Sequence, residues 1–194
     1  AACGFRETTS SVALEFTRAS VPRFLGFPDL RVRVRHIVAG RTGEELEMIR
    51  LFQQATFGGS PGHLDRTPEQ MHQLAARLGP GLDPELVMIA EDRAGATIGV
   101  LICLSDAWQR RPPGAQPDRA RLLSIGVAAA WQGRGVAVAM GRALMAVLLR
   151  KGYQTLEASW VLRDNARPQL LARALGAQET RRFELLAWHP HGTG

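Results

Sequence analysis

Hydrophobic and polar positions alternate strictly over Arg31-Val32-Arg33-Val34-Arg35, the period of a strand with one buried face. From Glu44 to Phe57 the period changes. Leu46, Ile49, Phe52 and Phe57 recur near helical spacing and predict an amphipathic helix. Thr67, with Pro68 in the first turn and Gln70 three residues later, opens a second helix that Gly79 closes. Between them, Gly58-Gly59-Ser60-Pro61-Gly62 is a flexible loop by composition. Leu86 to Ala90 and Ala96 to Leu104 are apolar runs flanking Glu91-Asp92-Arg93-Ala94-Gly95, a hairpin.

A polar, proline-bearing loop from Asp106 to Arg119 leads to a short strand, Leu122 to Val127. Ala130-Trp131-Gln132-Gly133-Arg134-Gly135 then opens a long helix reaching Arg150. It is apolar on nearly all sides, so other elements must cover it. Arg150 and Lys151 suit its negative end, and Gly152 stops it. Thr155 to Leu162 is a further strand. Pro168 lacks an amide hydrogen and must fall in the first turn of the next helix, so the cap is no earlier than Asn165. Leu170, Leu171, Ala174 and Leu175 form that helix's apolar stripe, Gly176 ends it, and Arg182 to Trp188 is the last strand. Residues 1–29 have mixed polarity and carry Pro22 and Pro28, and are expected to form a loose arm before a single domain over 30–194.

Composition narrows the class. At 194 residues, 45% apolar and 22% charged, the chain fits one globular domain rather than a disordered, collagen-like or coiled-coil protein. The stretch from Val136 to Leu149 is interrupted by Gly141 and Arg142 and is too short for a bilayer, so no membrane partner is expected. No secretory leader is visible. Cys3 and Cys103 make no disulfide framework, and Cys103 reads as a small core residue, which fits a cytoplasmic setting. The net charge of +6 rests on 24 basic residues, all arginine except Lys151, a ratio best explained by genome base composition. A basic surface still favours an anionic, phosphate-bearing ligand. Nucleic acid is not expected, because the arginines form no dense block with interleaved aromatics. His36, His63, His72, His189 and His191 show no metal-binding spacing, so no metal is expected. Trp108 and Trp131 flank the region of interest but read as core, and Arg110-Arg111 as a solvated pair.

Candidate chemistry gathers at Gln132-Gly133-Arg134-Gly135-Val136-Ala137, between a strand and a buried helix. Glycines let a ligand approach the backbone, and the first helical amides have no internal partners. Together they can cradle a pyrophosphate, although an ordinary tight turn would use the same residues. A dinucleotide fingerprint fails at Val138, where Gly or Ala is needed, and Glu157, at the ribose-contact distance, lies inside a strand. No P-loop sequence occurs.

Leu123-Ser124-Ile125-Gly126-Val127 followed by Gln132, Gly135 and Ala137 resembles the acyl-CoA signature of the GNAT N-acetyltransferase superfamily. Asn165 through Leu171 to Leu175-Gly176 resembles a second family segment, and the element order over roughly residues 30 to 188 fits as well. The resemblance implies an α/β (α+β) fold, a mixed and mostly antiparallel sheet flanked by helices. It implies acetyl-CoA as co-substrate, with the main chain of Ile125, Gly126 and Val127 along the pantetheine arm. The amides of Gln132, Gly133, Arg134, Gly135, Val136 and Ala137 would hold the pyrophosphate, with Asn165 near the pantetheine. The resemblance implies direct transfer of an acyl group, acetyl, to an amine of a small molecule or a protein. A non-catalytic CoA-binding or regulatory domain is the alternative, and a homodimer is carried as a candidate assembly. Departures bear on the choice. Many members carry a tyrosine acid where Ala172 stands here, and the chain's one tyrosine is Tyr153. The stretch that holds a carboxylate base in some members reads Arg119-Ala120-Arg121, so no catalytic acid or base is assigned. Acceptor identity is expected to lie in the loops around 55–66 and 106–119.

Overall fold

The computed structural model describes residues 5–25, 32–60, 63–106, 115 and 117–188. One seven-stranded sheet organises them, in the order β2-β3-β4-β5-β6-β1-β7. The strands are β1 (Phe5–Thr17), β2 (Arg33–His36), β3 (Val87–Glu91), β4 (Thr97–Ser105), β5 (Arg119–Val127), β6 (Thr155–Leu162) and β7 (Gln178–Trp188). The helices are α1 (Val21–Leu25), α2 (Thr42–Phe57), α3 (Pro68–Leu78), α4 (Val136–Arg150) and α5 (Ala166–Ala174). All neighbouring strands are antiparallel except β5 and β6. That exception follows from connectivity: α4 carries the chain back across the sheet, and such a crossover returns the next strand parallel.

Two cores flank the sheet. Met140, Leu144 and Leu148 of α4 pack with Leu14, Leu101, Leu156 and Leu175 on one face. On the other, Leu46 and Ile49 of α2 and Met71 of α3 meet Val87, Ile89 and Val100. The nearly all-round apolar pattern of α4 is thereby explained, because the sheet and α1 both cover it. The Thr67 cap forms as the sequence indicates: its hydroxyl accepts from the Gln70 amide, and the Gln70 side chain accepts from the Thr67 amide. Gly152 ends α4 region with φ of 84°, a left-handed value that glycine adopts without strain.

The loose arm expected over residues 1–29 is not what residues 5–25 form. Phe5–Thr17 is a thirteen-residue strand inside the sheet, paired with β6 on one side and β7 on the other. Val12, Leu14 and Phe16 enter the α4 core from it. The serines and threonines that read as loop are compatible with a strand when both edges are paired, since pairing rather than propensity decides. Strand boundaries shift too. The strand expected to begin at Arg31 is observed over Arg33–His36, with Arg31 outside the described residues. β5 starts at Arg119 rather than Leu122, and β7 at Gln178 rather than Arg182, because partner strands extend the pairing beyond the apolar run. Cys3, Trp108, Arg110, Arg111, His189 and His191 also lie outside the described residues.

Leu14 is fully buried in that strand. Leu14→Ala is therefore expected to lower the unfolding free energy by about 2–5 kcal/mol in urea titrations, the range for a core leucine. A loose arm would give a change close to zero.

Candidate functional site

The site is built on the one parallel pair. β5 and β6 are in register from Arg119↔Thr155 to Leu122↔Ala158 and then part, although β4 still pairs with β5 as far as Val127. Ser124 to Val127 therefore have a strand neighbour on one edge only, and along the wedge-shaped gap their main chain lacks a strand partner. A bulge coincides with the parting. Ile102 pairs with Ser124 while Cys103 pairs with Leu122, so Leu123 is the extra residue. The bulge re-aims the strand. Ile125 and Val127 stay against the α4 core, and Ser124 and Gly126 face α2. An added Cβ at Gly126 would stand 2.9 Å from Cζ of Phe57, so the ring would have to shift to admit one.

The C-terminal ends of β5 and β6 point the same way, which places their continuations at one end of the gap. After β5, Ala129–Trp131 makes a short turn, and the Gln132 side-chain amide donates to the carbonyl of Val127 at 3.2 Å. Gly133 and Gly135 take φ of 73° and 83°, and Gly135 is the residue that caps α4 with no side-chain hydrogen bond. The first bond within α4 runs from the Ala139 amide to the Gly135 carbonyl at 3.0 Å, so the amides before it are unpaired at the helix's positive end. Arg134 lies over the Trp131 ring, 5.4 Å from its centroid, which accounts for Trp131 as partly buried packing rather than a wall of the gap. After β6 comes Asn165 at the start of α5. It occupies the cap position that Pro168 dictates, yet its side chain makes no cap hydrogen bond. The carboxamide is exposed at the carboxyl end of the gap.

The open edge of Ile125–Val127, the glycine turn with its unpaired amides, and the uncommitted Asn165 amide thus gather at one end of the sheet. That donor set suits a long ligand with amide groups and a pyrophosphate. Tyr153 is placed elsewhere. It precedes β6 and packs beside Phe16, Met145 and Leu148, about 17 Å along the strand from the parting at Ala158. Ala172 is buried on the inner side of α5. Cys103 is buried, and burial pushes its thiol well above the usual cysteine value, so it is no nucleophile. Glu157, weighed from sequence as a ribose contact, is instead fully buried among arginines.

The gap opens on the α2 side into a cleft of about 490 Å³. Leu123, Ser124, Ile125 and Trp160 line its sheet end, and Gln53, Phe57, His63 and Arg66 its helical side. The sequence pointed to 55–66 for part of this wall, while the contributions of α2, α3 and Trp160 carried no local signal. Trp160 sits where β6 bulges against β1, between the Val12↔Val161 and Leu14↔Ala158 pairs, and is 74% exposed.

A family model described as the acetyltransferase (GNAT) family matches residues 46–177, and the chain belongs to that family. Among solved structures, a GCN5-related N-acetyltransferase from Sphaerobacter thermophilus superposes with a TM-score of 0.65 at 22% identity over 94% of this chain. The alignment spans 52% of that protein, so this chain corresponds to about half its length. The ribosomal-protein-S18-alanine N-acetyltransferase from Escherichia coli gives 0.56 at 17% identity, covering 77% of this chain and 79% of that one. The aminoglycoside enzyme AAC(6')-Iy, solved with the bisubstrate analogue CoA-S-monomethyl-acetylneamine, gives 0.59 at 20%, covering 79% and 95%. No curated protein sequence matches the chain. These likenesses establish the GNAT fold.

The tight seat of Gly126 gives a test of the cleft's construction. Gly126→Ala should displace the Phe57 ring and destabilise the fold by about 1–3 kcal/mol in thermal melts, the cost of overpacking. An unchanged melting temperature would mean that the ring moves freely.

Proposed function

We propose that the chain is an acyl-CoA-dependent N-acyltransferase, moving an acetyl group directly to an amine of a small molecule or a protein. The observation that carries this reading is the half-unpaired stretch of β5 leading into the glycine turn at the head of α4. The backbone of Ile125, Gly126 and Val127 would pair with the amides of the pantetheine arm as a strand does. The amides of Gln132 to Ala137 would hold the pyrophosphate, where the helix end and the left-handed glycines leave room for it. Asn165, free of a capping bond, would donate to or accept from the arm on the β6 side. CoA supplies the acyl group in activated form, as a thioester.

The protein's work is then to position and to stabilise charge. Two reactants held together react faster than free ones, and pre-set orientation can supply much of the acceleration. An amide of Gly126 or Val127 would stabilise the negative charge gathered by the carbonyl oxygen as the amine attacks. The carbon–nitrogen bond forms, the carbon–sulfur bond breaks, and the proton given up by the amine passes to water while the thiolate takes one back from water. A thiol has an ordinary pKa of ~8.5, so the leaving thiolate needs no strong acid. That requirement fits a site whose tyrosine lies far from the gap and whose α5 position is Ala172. The reducing, cytoplasmic setting inferred from the cysteines is compatible with this chemistry, and no described helix is long and apolar enough to cross a membrane.

Acetyl-CoA and CoA should each raise the melting temperature and bind calorimetrically, because a ligand of the native state stabilises by mass action. Gly135→Asp should abolish that binding with the circular dichroism spectrum retained, since it sets a like charge into the phosphate seat. No heat and no melting shift at millimolar CoA in the parent chain would refute the reading.

Tyr153→Phe should keep most of its turnover with an acetyl-CoA and amine pair, measured by thiol release. A large loss of kcat with unchanged CoA affinity would show that the tyrosine reaches the thioester after all.

A further inference from the structure

The cleft at the split has a charge pattern that selects among amines. Ile37, Leu46, Ile49 and Met71 give it a largely apolar floor, and no aspartate or glutamate lines it among the described residues. One permanent cation does. Arg66 lines the cleft, and its guanidinium makes no ion pair or hydrogen bond with any described residue. Its surroundings make that vacancy specific. Arg50, which donates to the Arg66 carbonyl at 3.2 Å, has its own charge met by Glu47 at 2.7 Å. Asp65, the neighbouring acid, stands 3.2 Å from Nε2 of His63 and is 59% exposed, turned outside the lining. An arginine with no partner among the described residues, beside a largely apolar cavity, can seat an anion, and its planar fork matches a carboxylate.

We propose, resting on the N-acyltransferase reading above, that the acceptor is a small primary amine with an apolar body and a single carboxylate. The carboxylate pairs with Arg66, the apolar body fills the space between α2, α3 and the sheet, and the amine lies at the split beside Ser124. About 490 Å³ accommodates a body of aromatic amino-acid size. Polycationic acceptors are disfavoured by the same geometry. Each further ammonium would lose water against largely apolar walls with no carboxylate among the described lining residues to receive it, and would be repelled by Arg66. The aminoglycoside enzymes that share the fold are therefore a poor guide to this chain's acceptor.

The product offers a probe independent of turnover. N-acetyl-L-phenylalanine and its uncharged amide are titrated calorimetrically into the full chain, with and without saturating CoA. The acid is expected to bind about tenfold tighter than the amide, and Arg66→Gln should bring the acid down to the amide's level. Equal affinities in the parent chain, binding of neither probe, or a preference that survives Arg66→Gln would overturn the proposal. In parallel, thiol release from acetyl-CoA is followed with L-phenylalanine, L-phenylalaninamide and neamine. Preference for the acid supports the proposal, and preference for neamine overturns it. Acid-selective binding with no turnover of any amine would uphold the cleft's specificity and refute the transfer reading instead.

Discussion

A single buried carboxylate holds together the part of the sheet from which the site departs. Glu157 is 1% exposed in the middle of β6. It accepts from Arg119 of β5 at 3.1 Å and from Ser159 at 2.9 Å, pairs with Arg181 of β7, and has Arg121 at 3.9 Å. Arg119 reaches on to Glu15 of β1 at 2.8 Å, and Arg121 to Asp106 just past β4 at 3.1 Å. Three arginines and three carboxylates thus stitch the five consecutive strands from β4 to β7. Their formal charges cancel, which such burial demands. An ion left alone there would carry a penalty of several kcal/mol. The network occupies the four-residue stretch where β5 and β6 are paired, and the gap begins one residue later. A split sheet has few backbone bonds to resist further opening, and side-chain ion pairs at the base of the split fix where the opening starts.

The N-terminal strand belongs to the same logic. Without β1, β6 would present a free edge on the side away from the gap while already unpaired along part of the other. Strands in that state are prone to register slips and to pairing with foreign edges. β1 closes the far side of β6 over almost its whole length, from Ser11↔Leu162 to Thr17↔Thr155, and brings β7 in beyond it. Glu15 ties it to Arg119 across β6. The rigidity of β6 past Ala158, where nothing pairs on the β5 side, accordingly depends on residues far away in sequence.

That dependence explains what the sequence disclosed. Elements whose signal is local were legible: the Thr67 capping box, the α4 stop at Gly152, the Thr155–Leu162 strand, and the Pro168 limit on α5 all carry their cause within a few residues. The glycine turn was legible for the same reason, because a left-handed residue before an uncapped helix leaves a mark in composition. What stayed hidden was made by pairing at long range. β1 has a weak strand pattern of its own and becomes a strand by lying between two others. The bulge at Leu123 is set by Cys103 and Ile102 on β4, and nothing in Leu123-Ser124-Ile125 announces it. Arg121 and Glu157 are 36 positions apart in the chain but face each other in the β5–β6 register.

The site's chemistry follows from the same division of labour. Backbone groups would carry most of the cofactor contacts, so side-chain identity there is constrained chiefly by what must be absent: no Cβ at Gly126, no non-glycine strain at Gly133 and Gly135. Such a seat can persist while the catalytic side chains around it change, which accommodates Ala172 and a distant Tyr153 on an otherwise family-like frame. The wall of the cleft is built in the opposite way, from side chains on α2, α3 and the segment between them, anchored to the sheet through Ile49 and Met71. Changes at His63 or Arg66 would alter that wall without touching the ion network at the base of the split, whereas Gln53 reaches the split itself through Ser124 at 3.4 Å. The open edge of β5 and the helical wall of the cleft thus meet at two places, Phe57 against Gly126 and Gln53 against Ser124, and the rest of the wall is built apart from the strand.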